Sequence, residues 1–222
     1  MALNRKELNA QQSELRRIMM GSDQHEKAIE LFLHHHAILH SAKMANADLW
    51  SYEDSILDDL DDAQMRGIPE KQEHSIVWCI WHIARIEDVT MNLLVANTEQ
   101  ILEEGQWLAK MNANIQHTAN AMSVDEISEF SAVINISALR EYRIAVGRRT
   151  REMVKGLKSE ELKEKVKSER IQQVEEKEAV LKQADGIIEY WSKRNIAGLL
   201  LMPATRHNLV HLNEASRLKL MK

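Results

Sequence analysis

HSIVWCIWHIARIEDVTMNLLVAN, residues 74–97, decides the class of this chain. Cys79, His82, Ile86, Val89 and Leu93 recur every three or four positions, the period of one helix face. The spacing predicts a helix over about 72–97. No period-2 run bounded by hairpin residues competes with it. Two Pro and seven Gly in 222 residues leave few breakers elsewhere. The expected class is all-α.

The same reading extends in both directions. Toward the N-terminus, residues 3–20 predict an amphipathic helix ended near Gly21 and Ser22. Asp23 is placed to cap a second helix running through EKAIELFLHHHAILHSAKM. Residues 45–73 are mixed and acidic, interrupted at Gly67-Ile68-Pro69, and predict short helix and loop. Toward the C-terminus, residues 98–123 predict irregular chain over one end of a bundle. Ser123 and Glu126 have capping-box spacing for a short helix. Long helices are expected at about 135–156, 187–201 and 203–220, with Pro203 in the first turn of the last. Residues 157–186, LKSEELKEKVKSERIQQVEEKEAVLKQADG, are rich in charge and expected to form a solvated face. Four long amphipathic helices with additional short ones predict a four-helix bundle, a fold that builds metal sites between facing helices. The whole of 1–222 is expected to be one domain, with an N-terminal helical extension at about 1–22.

Composition excludes several classes. The net charge is -5 and the pI about 6.1, without the basic excess of a nucleic-acid binder. The longest apolar run, 196–202, is too short to span a bilayer. The N-terminus has no apolar signal-peptide core. The single Cys79 cannot form an internal disulfide and suits a reducing compartment. A cytoplasmic protein is expected, with neither nucleic-acid nor membrane partners. There is no phosphate loop, nucleotide fingerprint or Ser-His-Asp arrangement.

The histidines carry the chemistry. Two pairs sit at i,i+4: His36 with His40, and His207 with His211. In the last helix Ala204, His207, His211, Glu214 and Leu218 form one stripe, flanked by Leu209, Val210 and Leu212. Two imidazoles facing a core need partners, because an unpaired buried polar group costs about 1–3 kcal/mol. A metal supplies one. His82 stands on the stripe of the 72–97 helix, so facing helices bring it toward the pair. Three neutral imidazoles leave tetrahedral zinc one open position for water or substrate. Asn208 stands where a zincin has its general-base Glu. Glu214 is the candidate carboxylate, most simply as an acceptor for a ligand ring N–H. Arg85 and Arg206 are candidates to hold an anionic substrate, with a plain ion pair the stronger expectation for both. Cys79 reads as a small hydrophobe. Most of His34, His35, His36 and His40 are expected to face solvent, with His36 or His40 reaching inward. His117 is placed to line a pocket mouth.

HSIVWCIWHIARIEDVTMNLLV together with LLLMPATRHNLVHLNEASRLK resembles the DinB-like (DinB/YfiT) family. The resemblance implies a four-helix bundle holding a divalent metal through one histidine of a pattern like xxHIxxxE and two of an HxxxH. Those positions match His82, His207 and His211. The N-terminal helix, residues 45–70 and residues 157–186 look like additions to the family pattern. Zinc or nickel is the expected cofactor. The family implies a metal-dependent thiol transferase using a low-molecular-weight thiol, a metal-dependent hydrolase, or a metal-binding stress-response bundle without catalysis. It also implies a homodimer.

Overall fold

The computed structural model describes residues 5–19, 21, 24–45 and 49–221. The chain is all-α. Five helices organise it: α1 (Arg5–Met19), α2 (His25–Ile38), α3 (Ile76–Asp88), α4 (Ile136–Gly156) and α5 (His207–Leu220). Among the described residues the only bridge pairing is an isolated one, Lys165 with Asn195. No described helix is long and apolar enough to cross a membrane.

α3 begins one residue after Ser75, whose Oγ accepts the Trp78 N–H at 2.9 Å. Such caps stabilise a helix by about 1 kcal/mol. The stripe expected on α3 understates it, because every residue from Ile76 to Val95 is buried. A helix buried on all sides belongs at the centre of a fold, and α3 packs against both α4 and α5. Past Asp88 it widens into π-helical turns, Val89–Ala96, ending at the left-handed Asn97. Each fully buried Ile, Leu or Val there stabilises the fold by about 1.5–3 kcal/mol.

Several boundaries differ from the expected ones for identifiable reasons. The second helix stops at Ile38 instead of continuing to Met44. Ser51 Oγ donates to the His40 carbonyl at 2.7 Å, and Asp54 accepts the Ala42 N–H at 2.7 Å. These two residues turn the chain into a separate short helix, Ala42–Ala45. The proposed Asp23 cap lies outside the described residues. The capping box at Ser123 and Glu126 is formed and opens Val124–Val133.

The 157–186 segment is more than a solvated face. Leu162, Val166, Val174, Ala179 and Val180 are buried. Val166 N–H donates to Arg194 O, and Ile196 N–H to Glu164 O. That pairing interrupts the helix expected over 187–201, which forms instead as Asp185–Ser192 and Ile196–Leu201.

Candidate metal centre

α3 and α5 deliver the three predicted histidines to one place. The ligand nitrogens of His82, His207 and His211 all lie within 4.8 Å of one another. His82 Nε2 is 3.1 Å from His207 Nε2. His207 enters through an irregular turn, because Pro203 has no N–H to continue an α-helix. Met202–Arg206 widens to π-helical bonding, and His207 N–H reaches back to Met202 O. The carbonyls of Leu200 and Leu201 accept from Thr205 Oγ1, and Gln12 Nε2 of α1 also donates to Leu201 O at 3.0 Å. An interior polar turn is thereby satisfied.

Two of the three rings are aimed from behind. His82 Nδ1 donates to Thr118 O at 2.5 Å, and His211 Nδ1 donates to Glu214 Oε2 at 2.8 Å. Each bond fixes the tautomer and turns the Nε2 lone pair toward the centre, as outer partners of metal ligands do. His207 Nδ1 is buried without a partner. Burial, reinforced by His211 and His74, pushes the His82 imidazole down to about 3. Burial beside His82 and His211 moves His207 the same way. Three imidazoles whose ligand nitrogens converge, two of them with the other ring nitrogen already engaged, fit a divalent ion.

The loop before residue 123 is a bracket for α3. Four consecutive carbonyls, Gln116 to Ala119, accept from Arg85 Nε, Trp81 Nε1, His82 Nδ1 and Trp78 Nε1. Ala119 takes a left-handed conformation to close it, with φ 64°. Thr118 N–H donates to Ala179 O at 2.9 Å. The charge-rich segment therefore braces the carbonyl that orients His82. Trp78 stacks between His74 and His82, with ring centroids 3.6 Å and 4.6 Å away.

Glu214 holds two rings at once, accepting from His211 and, at 2.7 Å, from His74 Nδ1. Those bonds hold its carboxyl well below the usual range against the opposing effect of burial. Cys79 is buried beside Glu214 and His211. Burial and the nearby carboxylate raise its thiol well above the ordinary value, so it stays protonated. Arg85 is also buried. It donates to Asp88, Tyr142, Gln100 and the Gln116 carbonyl, which commits it to an internal ion-pair network. Arg206 donates to Asn9 Oδ1 of α1 and lines an exposed basic groove with Arg16 and Lys165, away from the three rings. His117 lines a different cavity, with Glu126, Phe130 and Leu181. Val210, expected among the flanking apolar residues, is exposed.

One of His36 and His40 is expected to reach inward and most of the group to face solvent; both members of the pair, and His35 with them, are inside. His35, His36 and His40 are fully buried, and only His34 of the run is exposed. His36 Nε2 and His40 Nε2 approach the two oxygens of Glu87 at 2.8 Å and 3.1 Å. Asn208 Nδ2 donates to Glu87 Oε2 at 2.8 Å. Glu87 is five residues past His82, so it leaves central α3 on a different side. Burial and the neighbouring His36 push His40 down to about 3. Glu87 is the acid of the xxHIxxxE pattern around His82; the pattern marks its position but not its partners, His36, His40 and Asn208.

A family model described as the DinB superfamily matches residues 47–214. That span includes His82, Glu87, His207, His211 and Glu214, and excludes His36 and His40. Residues 157–186, expected to be additions, lie inside it, as does most of 45–70. No curated protein matches the chain. Among solved structures, one described as the crystal structure of the conserved protein of locus from Enterococcus faecalis is similar, with a TM-score of 0.53 and 15% identity. The alignment covers 85% of this chain and 96% of that one. At that identity the likeness is one of fold.

Proposed function

The chain belongs to the DinB superfamily, and from that premise we propose a metal-dependent thiol S-transferase centred on His82, His207 and His211. The observation that carries the reading is the pair of ring bonds to Thr118 O and Glu214, which aim two Nε2 lone pairs at a common point. Zinc or nickel is the occupant we infer, since imidazole donors suit both. When bound, a divalent ion with an open position lowers the pKa of a thiol or a water placed there.

The choice of thiol over water rests on Glu214. A metal-bound water has its pKa lowered too, but its attack is usually assisted by a nearby base. Glu214 accepts from two imidazoles and is held ionised by them, which makes it a poor base. A thiol needs only a lowered pKa to become a nucleophile at neutral pH. In this reading His82, His207 and His211 bind, Thr118 and Glu214 orient, and Trp78 shields the His82 ring from solvent by stacking on it. A cytoplasmic homodimer completes the proposal, with sedimentation the check on assembly.

The first test is elemental analysis of untagged parent protein and His82→Ala. Metal in the parent and its loss from the triad in the variant are expected. The second uses cobalt(II) as the probe. Adding a low-molecular-weight thiol should produce a sulfur-to-cobalt absorption band in the parent and none in His211→Ala. A cobalt spectrum indifferent to thiol would reject the transferase and favour hydrolysis or metal binding without catalysis.

A further inference from the structure

We propose that His36, His40 and Glu87 form a second divalent-cation site, buried and separate from the three-histidine centre. All three side chains are inaccessible to solvent. One nitrogen from each imidazole and a carboxylate oxygen lie within 4.8 Å of one another. Two imidazoles and one carboxylate are a donor set used by zinc and by iron(II).

The argument turns on where the His40 proton must be. His40 Nδ1 lies 2.9 Å from the His36 carbonyl oxygen, which can only accept. The neutral ring therefore carries its proton on Nδ1 and a lone pair on Nε2. That lone pair points at Glu87 Oε2, 3.1 Å away, an oxygen that already accepts from Asn208. Lone pair faces lone pair in a buried site. The contact is relieved by a proton, on the ring or on the carboxyl, or by a metal ion. The convergence of His36 Nε2 on the same carboxylate favours the metal, which would take both Nε2 lone pairs and the carboxylate at once, whereas a proton answers the His40 contact alone.

Two further observations agree. Asn208 Oδ1 and His36 Nδ1 are buried without partners, so the network is not closed by its own atoms. Gly147 of α4 makes room for the His40 ring. A Cβ there would come within 2.8 Å of His40 Cδ2 and 2.9 Å of Met44 Cγ. Space is thus kept for this imidazole at the cost of a glycine inside a long helix. His36 and His40 also lie before the residues that the family match spans, so these two ligands do not follow from family membership.

The test is zinc stoichiometry of full-length protein refolded from urea with zinc present, since a buried site loads as the chain closes. Two equivalents are expected in the parent, one in His40→Ala and one in His211→Ala. A single equivalent, lost in His211→Ala and kept in His40→Ala, would overturn the second site and leave the three-histidine centre standing. Two equivalents with neither lost in His211→Ala would overturn the centre instead. Should His40→Ala fail to fold, anomalous diffraction from zinc-loaded parent crystals decides. A peak between His36, His40 and Glu87 is expected, and zinc confined to the three histidines rejects the proposal.

Discussion

His36 and His40 have the same spacing as His207 and His211, yet the fold treats the two pairs differently. The C-terminal pair is partly exposed, and its partner ring comes from α3. The N-terminal pair is sealed in the core against a carboxylate from that same helix. An i,i+4 interval places two rings on one face; it says nothing about what lies opposite. Here α3 supplies both answers, His82 on one side and Glu87 on another. The difference teaches that ligand character is set by the facing helix and by access, more than by the motif itself.

The comparison can be broken most severely at Glu87. Replacing it with Ala strands two buried imidazoles and the Asn208 amide, and should cost about 3–5 kcal/mol of stability. The urea midpoint of the variant reads this directly, and a loss under about 1 kcal/mol would show that the carboxylate is not an anchor. Acid tests all the buried rings together in metal-free protein. His35 is held at about 4, His40 and His82 at about 3, against an ordinary 6.5. Between those limits the unfolded chain binds more protons than the folded one. Stability is therefore full above about 6.5 and falls as pH drops toward 4, by up to about 1.4 kcal/mol per pH unit for each ring. A midpoint flat from pH 7 to 4.5 would mean that the fold accepts these protons.

Glu214→Gln sharpens the contrast more gently. It removes the charge that orients His211 while leaving all three ligands, so metal affinity should drop roughly 10–100-fold. Competition with a chromophoric chelator measures it, and an unchanged affinity would remove Glu214 from the centre. The smallest effect is expected at His34, the exposed member of its run. His34→Ala should alter stability by less than about 0.5 kcal/mol, with metal content unchanged.

Much of the centre was legible in the sequence because it depended on local rules. The α3 periodicity, the Ser123 cap, the break at Pro203 and the His207–His211 spacing each follow from a few neighbouring residues. What stayed hidden depended on contacts across the fold. Glu87 stood in the xxHIxxxE pattern, but its partners His36, His40 and Asn208 come from other helices and could not be read from it. An ion pair is the expectation for Arg85, but its partners Asp88, Tyr142 and Gln100 could not be told from its spacing. The 157–186 segment concealed its anchors because Leu162, Val166, Val174 and Val180 follow no single period. Its bond from Ala179 to Thr118 links residues far apart in sequence.

The widened turn at Met202–Arg206 carries a consequence for how this chain can change. A π-helical turn holds more residues than the α-helical turn it replaces. Each residue added or removed along a helix rotates everything beyond it by about 100°. Losing one residue between Leu201 and His207 would let this turn close to α-helical pitch and keep the register, whereas losing one in the regular helix beyond it, at Leu209 or Val210, would swing His211 off the His82 side. The widened turn therefore absorbs a change of length that the regular helix carrying the histidine pair cannot.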